Sequence, residues 1–373
     1  MRAISVAGLG FGDESKGATV DALCRSLPVD LIVRLGGGSQ CAHNVITPEG
    51  VHHTFSQFGS GMMANDQVRT HLSRFMLIDP ITMLNEADEL AKKTPGWWRR
   101  LTISARCVVI TPFHKRLNRL RETARGTGRH GSCGMGVGVA REFELKYGRD
   151  NVLCAEDIYD WVDLREKLKF QKNLVQKEMG VEATSDLNIE DIKVGYDRWK
   201  AFVRLVPEDS SIIGESRCMV FEGAQGVMLD EKHGTAPHNT WTNTTFENAD
   251  TLLDEIGCTD RMRIGCLRTY YTRHGVGPFP TEDNTLDLPE PHNGNDGFQG
   301  KFRVGRFDFT LAKQALSIVG GVDVLALSHL DYLPRLGWQE RVFIDRVSEL
   351  APVVMQGRGP TAAHRTINME VTA

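Results

Sequence analysis

The sequence has no apolar run approaching the roughly 20 residues that a membrane-spanning helix needs. At its N-terminus a single arginine precedes a β-like stretch, which differs from the charged and then apolar layout of a secretory signal. The net charge is only −4, so the chain has no general electrostatic attraction to nucleic acid or to an anionic membrane. We therefore expect a cytoplasmic protein with neither nucleic acid nor membrane as a partner.

Cysteine pairs of the C-x-x-C type are missing, although the chain has eight cysteines. Scattered cysteines in a cytoplasmic protein are usually reduced and buried, so no disulfide framework is expected. His233 and His238 are separated by a Gly-Thr-Ala-Pro turn, which is a poor spacing for zinc ligands. A structural metal is therefore not expected.

The composition is that of a globular protein, with 41% hydrophobic and 25% charged residues in 373. Apolar β-rich runs alternate with helical patterns, which predicts an α/β fold: a single large domain, residues 1–373, with a central, mostly parallel twisted sheet flanked by helices. The candidate strands are 3–8, 30–34, 101–110, 218–222, 262–270 and 322–328. Residues 156–206 read as a helical insertion, small subdomains are expected beside the sheet, and residues 283–303 read as a long mobile loop.

Residues 8–17 are the most informative segment, because a short strand runs into a glycine-rich bend that opens a helix. The bend lacks the P-loop motif and does not fit G-x-G-x-x-G, so an ordinary structural turn is one interpretation. However, Asp13, Glu14 and Lys16 lie inside it, and charge in a tight turn rarely serves packing. Free N–H groups at a helix N-terminus and a lysine attract phosphate, while carboxylates suit magnesium or proton abstraction. Phosphate chemistry is the first hypothesis.

Further glycine-rich segments follow other candidate strands. His43 ends one of them, and it either caps a turn or faces the first loop as a general acid. Residues 126–138 contain six glycines, which permit close approach of the backbone to an anion. Residues 221–230 could be a plain β-turn, and Asp331 ends a buried strand where a carboxylate could read a purine edge.

Five motifs, in matching order, resemble those of the adenylosuccinate synthetase family over essentially the whole chain. The family's G-D-E-G-K-G-K appears as G-D-E-S-K-G-A, and its R-x-x-G-G-x-N-A-G-H-T corresponds to the segment from Arg34 to Asn44. The other three are F-E-G-A-Q-G at 221–226, H-G-T-A-P-H-N-T at 233–240 and T-R-H-G-V-G-P-F-P-T-E at 272–282. This resemblance implies an enzyme, a C–N ligase that joins aspartate to a purine nucleotide through a 6-phosphoryl intermediate.

The resemblance also implies roles for single residues. Asp13 would remove the purine N1 proton, His43 would act on the β–γ bridging oxygen, and Lys16 would contact the transferred phosphoryl group. Mg²⁺ would be the cofactor, held by Asp13 and the carbonyl of Ala42. The remaining implied contacts are Gly12, Glu14, Ser15, Gly17, Asn44, Asp331, Gly359 and Pro360 for the triphosphate, Gln40, Ser132, Cys133, Gln225 and Thr240 for the purine nucleotide, and Lys301 and Arg303 for aspartate.

Several positions depart from the family pattern. Ser15 replaces a glycine, Ser132 and Cys133 replace paired threonines, and residues 300–308 keep few of the family's arginines. One of those arginines contacts the ribose hydroxyl in the family, so a site without it would tolerate a deoxyribose. The guanine-reading T-K-L-D becomes Ser-His-Leu-Asp at 328–331, and the chain before the closing G-P at 359–360 is shortened, which makes GTP a doubtful donor.

These departures resemble the viral and archaeal branch of the family, which joins aspartate to dGMP with ATP or dATP to make a 2-aminoadenine precursor. An ordinary adenylosuccinate synthetase acting on IMP is the alternative. The resemblance also implies a homodimer in which a second subunit supplies an arginine to the 5′-phosphate site. Tyr147 aligns with that arginine, so Arg141, Lys146 or Arg149 would have to replace it. A viral member would work in the host cytoplasm.

Two hypotheses from other classes compete with this one. A NAD-dependent dehydrogenase would need an acidic residue at the end of the second strand, where Arg34 stands. A nucleotide-binding regulator without catalysis would have lost the reactive side chains, yet Asp13, Lys16 and His43 are all present. Both are less favoured than the ligase.

Overall fold

The computed structural model of the protein describes residues 1–294 and 298–369, and within them the chain forms sixteen strands and ten α-helices. The strands are β1 Arg2–Gly8, β2 Leu31–Arg34, β3 His43–Ile46, β4 His52–Phe55, β5 Arg69–Leu72, β6 Leu77–Ile78, β7 Leu101–Ser104, β8 Val108–Val109, β9 Arg204–Val206, β10 Cys218–Glu222, β11 Arg261–Arg268, β12 Tyr270–His274, β13 Phe302–Arg306, β14 Val324–Ser328, β15 Val353–Gly357 and β16 Arg365–Ile367. The helices are α1 Lys16–Ser26, α2 Pro80–Ala91, α3 Pro112–Ala124, α4 Val137–Tyr147, α5 Trp161–Met179, α6 Ile189–Lys200, α7 Ser210–Ile213, α8 Glu247–Glu255, α9 Phe309–Ile318 and α10 Glu340–Ser348.

Ten of the strands form one central sheet in the order β16-β15-β14-β11-β1-β10-β2-β5-β7-β9. Its pairings are parallel except at one edge, where β16 runs antiparallel to β15. The first strand, β1, lies between β10 and β11, which come much later in the chain. Parallel pairing puts the carboxyl ends of these strands on one edge of the sheet, where loops can gather around a ligand.

Helices cover both faces of the sheet, which explains why the central strands are apolar without alternation. Ile4 and Val6 of β1 pack against Leu23 of α1 on one face. On the opposite face, Ala3 lies in a second cluster with Leu252 of α8. A large α/β fold with a ten-stranded, mostly parallel central sheet flanked by helices is thus confirmed.

Several expected elements differ from those observed. Residues 101–110 form two short strands, because the chain turns between β7 and β8. The expected strand 262–270 ends at Arg268, and the next strand, β12, pairs instead with β13 in a separate two-stranded sheet. The expected helical segment 156–206 does contain α5 and α6, but it ends in β9, which is an edge strand of the central sheet.

The expected loop 283–303 is shorter than predicted, because β13 already begins at Phe302. Residues 295–297 of this loop lie outside the described residues. Within the described residues, the helices include none that is both long and apolar enough to cross a membrane.

Candidate active site

A cavity of about 1230 Å³ opens at the carboxyl edge of the central sheet. Loops that follow β1, β2, β10, β11 and β14 contribute to its walls. The predicted site residues that line it are Gly12, Asp13, Ser15, Lys16, Gly17, Gln40, Ala42, His43, Asn44, Ser132, Cys133, Gln225, Thr240, Asp331, Gly359 and Pro360. Segments that are far apart in the sequence therefore share one cavity, as expected from the strand order.

Backbone strain is concentrated at this cavity. Asp13, Ser15, Gln225 and His329 are the non-glycine residues with positive φ among those described, at φ values of 56° to 64°, and all four line the cavity. A left-handed conformation costs a side-chain-bearing residue about 1 kcal/mol or more and persists only where the surroundings fix it. Such strain marks a functional site.

The side chain of Glu14 lies under the loop that follows β1 and bonds to residues on both sides of it. Its carboxylate receives a hydrogen bond from the backbone N–H of Gly12 at 2.7 Å and one from Lys16 Nζ at 2.8 Å. Both charged side chains are almost completely buried. Burial lowers the pKa of Lys16, but the Glu14 carboxylate outweighs burial and raises the pKa above its ordinary value. Lys16 therefore stays cationic at the start of α1.

Two glycines allow the loops to approach this closely. A Cβ added to Gly226 would lie 2.3 Å from the carbonyl oxygen of Gly10 and 2.5 Å from the nitrogen of Gly12. A Cβ added to Gly17 would lie 2.7 Å from the Cβ of His43. The first loop, the loop after β10 and the start of β3 thus meet only because these positions have no side chain.

His43 is oriented by a buried carboxylate from β10. Its Nδ1 lies 2.5 Å from Glu222 Oε1, and the Glu222 carboxylate also accepts hydrogen bonds from the backbone N–H and the hydroxyl of Ser60. Burial raises the pKa of Glu222, but Arg34, His43 and Ser60 outweigh burial and lower it to about 2. Burial lowers the pKa of His43 despite this carboxylate. Since Nδ1 is bonded to Glu222, the nitrogen left for a ligand is Nε2.

Asp13 is held by side chains from β11 and β12. His274 Nε2 lies 2.9 Å from Asp13 Oδ2, and Arg268 Nη1 donates to the carbonyl oxygen of Asp13 at 3.2 Å. Thr272 Oγ1 donates to the carbonyl oxygen of Gly12 at 3.2 Å. Burial raises the pKa of Asp13, but His274, Arg268 and Lys16 outweigh burial, so its pKa is below the ordinary value. The carboxyl group is therefore ionised and able to accept a proton.

The glycine-rich segment 126–138 forms another wall of the cavity. Ser132 Oγ donates to Asn118 Oδ1 at 2.9 Å, and the buried Glu122 carboxylate accepts hydrogen bonds from the backbone of His130 and Gly131 at 3.1 Å. Burial raises the pKa of Cys133 to about 11, so its thiol stays neutral. This wall offers backbone and hydroxyl groups to a ligand, and no thiolate.

The far end of the cavity is formed by residues after β14 and β15. Asp331 is exposed there, while His329 bonds through its Nδ1 to Ser328 Oγ at 3.1 Å and through its Nε2 to Arg268 at 3.2 Å. Arg365 also lines the cavity, and its Nε and Nη1 are buried without a hydrogen-bond partner among the described residues. A guanidinium with unused donors suits an anionic ligand.

Three predicted site residues, among those described, are outside the cavity lining. Glu14 lies beneath the first loop, as described above. Lys301 is exposed, and Arg303 is bound to Glu282 Oε2 at 2.8 Å and to the carbonyl oxygen of Gly277 at 2.9 Å. The aspartate-binding roles of Lys301 and Arg303 thus have no support from their positions.

The candidates for the arginine from a second subunit differ in position. Arg141 lines the cavity and pairs with Glu144 at 2.5 Å. Arg149 bonds to the carbonyl oxygen of Arg106 and also lies 3.3 Å from Glu144, while Lys146 stacks on the ring of Tyr147. Of the three, only Arg141 borders the cavity of its own chain.

The sequence profile described as adenylosuccinate synthetase matches residues 5–338. The chain belongs to the adenylosuccinate synthetase family. It is 32% identical to the adenylosuccinate synthetase of Desulfitobacterium hafniense (strain DSM 10664 / DCB-2) over 344 residues, which cover 89% of this chain and 78% of that protein. It is 31% identical to the enzyme of Halothermothrix orenii over 353 residues, covering 89% and 78%. The protein is therefore a C–N ligase of the adenylosuccinate synthetase type.

Two solved structures share the adenylosuccinate synthetase fold. One is the fully ligated adenylosuccinate synthetase of Plasmodium falciparum, with a TM-score of 0.81, 16% identity, and coverage of 99% of this chain and 100% of that one. The other is the succinoaminodeoxyadenylate synthetase (PurZ) of cyanophage S-2L bound to dGMP and dATP, with a TM-score of 0.71, 20% identity, and coverage of 98% and 95%. At these identities the likeness concerns the fold.

A magnesium ion, which is typical of the adenylosuccinate synthetase family, fits the donor set at the cavity. The described residues contain no group of three or more His, Cys, Asp or Glu side chains that could hold a metal alone. Mg²⁺ commonly takes one or two protein oxygens and completes its shell with water and phosphate. Asp13 and Ala42 both line the cavity, and the carboxylate of one and the carbonyl of the other could supply those oxygens.

Sequence reasoning missed several residues that line the cavity of this family member or support it from behind. Glu222 lies in a quoted motif at a strand end, so its position was signalled, but not its bond to His43. Arg268 and His274 lie on either side of the break between β11 and β12, which the sequence did not reveal. Arg365 follows the last recognised motif, and no motif or spacing identifies it.

Proposed function

We propose that this protein joins L-aspartate to C6 of a 6-oxopurine nucleotide through a 6-phosphoryl intermediate. The favoured substrates are dGMP with ATP or dATP, which give N6-succino-2-amino-2′-deoxyadenylate, ADP and phosphate. The meeting of Asp13, Lys16 and His43 in one cavity is the observation that supports this reaction. The product would serve the synthesis of 2-aminoadenine DNA.

The chemistry requires an acceptor for the purine N1 proton. The C6 oxygen is a poor leaving group until it carries a phosphoryl group, and negative charge on O6 makes it a nucleophile. In our proposal Asp13 takes the N1 proton, O6 then attacks the γ-phosphorus, and the bond to the β–γ bridging oxygen breaks. The aspartate α-amine next attacks C6 and expels phosphate.

Hydrogen-bond donors and positive groups stabilise the negative charge that develops at the triphosphate. Lys16 contacts the transferred phosphoryl group, and His43 Nε2 faces the departing bridging oxygen, with Glu222 stabilising the imidazole. Bound Mg²⁺ would neutralise part of the triphosphate charge. Arg365, with its unused donors, is a further candidate contact for the triphosphate.

The position of Arg303 supports a deoxyribose substrate. In the family one arginine of this segment contacts the ribose hydroxyl. Here the arginines left in residues 300–308 are Arg303 and Arg306, and both lie outside the cavity lining, bound to Glu282 and Asp283. A ribose 2′-hydroxyl would thus lack a charged partner there. The fold likeness to the cyanophage enzyme, whose structure contains dGMP and dATP, agrees with this choice.

An ordinary adenylosuccinate synthetase activity on IMP is the second candidate. The curated relatives that are 31–32% identical carry that name, and they match the chain more closely in sequence than the cyanophage enzyme does. In either case the proposed partners are small-molecule substrates and a second copy of the chain. A homodimer would place Arg141 or one of its neighbours near the other subunit's 5′-phosphate site.

An endpoint assay with L-aspartate, Mg²⁺ and ATP separates these candidates. Parallel reactions contain dGMP, GMP or IMP, and the succinylated nucleotide is identified by its mass and its absorbance. We expect dGMP to be converted at least tenfold more efficiently than GMP or IMP. Product from IMP alone would contradict the 2-aminoadenine assignment, and no product with any nucleotide would contradict the ligase reaction.

A further inference from the structure

We propose that His274 is the positioning residue of Asp13: it donates a hydrogen bond to Oδ2 and keeps Oδ1 directed at the purine. This inference rests on the proposed function, since it assigns a role in proton abstraction. It concerns a residue to which the motifs gave no role.

Side-chain alternation along β12 brings His274 to the first loop. Tyr270, Thr272 and His274 are two residues apart, so they lie on the same face of the strand. Thr272 from this face bonds to the carbonyl oxygen of Gly12, and His274 bonds to the Asp13 carboxylate at 2.9 Å. The strand thus holds two consecutive residues of the loop, one by its backbone and one by its side chain.

Asp13 needs such support because its backbone is strained. Its φ is 64°, which is a left-handed conformation that a residue with a side chain adopts only when other contacts impose it. Arg268 fixes its carbonyl oxygen and His274 fixes Oδ2, while none of the described residues donates a hydrogen bond to Oδ1. One carboxylate oxygen is therefore held and the other is available to a ligand.

The imidazole of His274 also packs against β13. The ring of Phe302, its cross-strand partner on β13, lies 4.9 Å away between ring centroids, with the planes at 61°. Because an ionised carboxylate can only accept hydrogen bonds, Nε2 carries the proton in its bond to Asp13.

A second chain of contacts reaches the backbone of Asp13 through Arg268. Asn293 Nδ2 donates to Glu290 Oε2 at 3.0 Å. Glu290 is paired with the buried Arg268, whose Nη1 donates to the carbonyl oxygen of Asp13 at 3.2 Å. Arg268 on the backbone and His274 on the carboxylate together restrict Asp13 to one orientation, which is what an efficient proton acceptor needs.

The test compares two substitutions of His274 in the full-length protein. His274→Gln keeps an N–H donor near the position of Nε2, whereas His274→Leu removes it. With the nucleotide that the wild type converts best, we expect His274→Leu to lower kcat about 10- to 100-fold and to leave the KM values within threefold. We expect His274→Gln to restore kcat to within about fivefold of the wild type.

Three outcomes would overturn the proposal. His274→Leu could retain kcat within threefold, His274→Gln could be as impaired as His274→Leu, or the main change could be a higher KM for aspartate. Melting temperature and nucleotide binding by calorimetry are measured for each variant, so that a folding defect is recognised. If His274→Leu does not fold, His274→Gln is compared with His274→Asn instead. The shorter amide of asparagine does not reach Asp13.

An Asp13→Asn background separates this inference from the proposed function. If Asp13 accepts the proton and His274 acts through it, adding His274→Leu to Asp13→Asn causes little further loss of kcat. Normal turnover of Asp13→Asn alone would contradict the proposed chemistry. An inactive Asp13→Asn together with a fully active His274→Leu would contradict only the role of His274.

Discussion

His43 Nδ1 lies 2.5 Å from Glu222 Oε1, at the point where β3 begins and β10 ends. This bond holds the Nδ1 proton of His43 against Glu222, and it leaves Nε2 facing the cavity. The carboxylate can keep its charge while buried because Arg34 and Ser60 also contact it. The orientation of His43 thus depends on a residue from a distant part of the chain.

Glu222→Gln tests this relationship. The amide would keep the shape of the side chain but lose the charge that stabilises a protonated imidazole, so we expect kcat to fall about 100-fold. Steady-state kinetics measure the effect. Ser60→Ala is the control: it removes one hydrogen bond to Glu222 and leaves the charge in place, so its kcat should stay within about tenfold. Equal losses in both variants would contradict a role for the charge.

Asp13→Asn tests the proton acceptor. The amide cannot take the purine N1 proton, so we expect turnover to fall by at least about 1,000-fold while the protein remains folded. Product formation over several hours and circular dichroism are the measurements. Turnover within tenfold of the wild type would remove Asp13 from the assigned role.

Gly226→Ala tests the close approach of the loops after β1 and β10. The new methyl group would meet backbone atoms of Gly10 and Gly12 at 2.3 and 2.5 Å, so the loop must move. We expect nucleotide affinity to drop at least tenfold and stability to fall by about 1–3 kcal/mol. Gly128→Ala is the matched control, since a Cβ there has no heavy atom within 4 Å. Calorimetric titration with nucleotide and urea unfolding should leave that variant near the wild type.

His114 predicts a pH dependence of stability. It is buried near the start of α3, where Nδ1 accepts a hydrogen bond from the backbone N–H of Thr111 at 3.1 Å. Burial lowers its pKa from 6.5 to about 3. Between these values the unfolded chain binds more protons than the folded protein, so the free energy of unfolding falls as the pH drops below 6.5. At pH 5 the loss from this residue should be about 2 kcal/mol.

His114→Asn checks that value, because its side-chain oxygen can still accept from Thr111 but does not titrate. Urea unfolding at pH 7 and pH 5 should show a decline in stability that is smaller by about 2 kcal/mol in this variant. The exposed His233, replaced by asparagine, provides the control with the same histidine count. An identical decline in the wild type and His114→Asn would contradict the assignment.

The sequence predicted the centre of the fold better than its edges. Strands such as β1, β10 and β14 are continuous apolar runs, because both of their faces are buried, and these were recognised. The edge strands β9 and β16 are only three residues long, and little in their composition distinguishes them from loops. The end of β11 at Arg268 was missed, because the next residues are also β-formers but pair in another sheet.

The reactive residues of the candidate site were predicted because they stand in sequence motifs. The contacts that hold these residues in place were missed, because they depend on the three-dimensional structure. Asp13, Lys16 and His43 stand in glycine-rich segments, and the structure brings them into one cavity. The side chains that bind these residues were not predicted. Glu222 and His274 both lie in quoted motifs, but their bonds to His43 and Asp13 join distant loops, and no spacing along the chain contains that information.

The place of β1 between β10 and β11 has a consequence for biosynthesis. Arg2 pairs with Cys218 and Ala3 with Arg261, so β1 is synthesised about 200 residues before either of the strands that flank it. Until then its apolar edge is open to wrong pairing, and non-local strands of this kind assemble slowly. A nascent chain stalled before residue 218 should therefore be captured by chaperones far more readily than the finished protein.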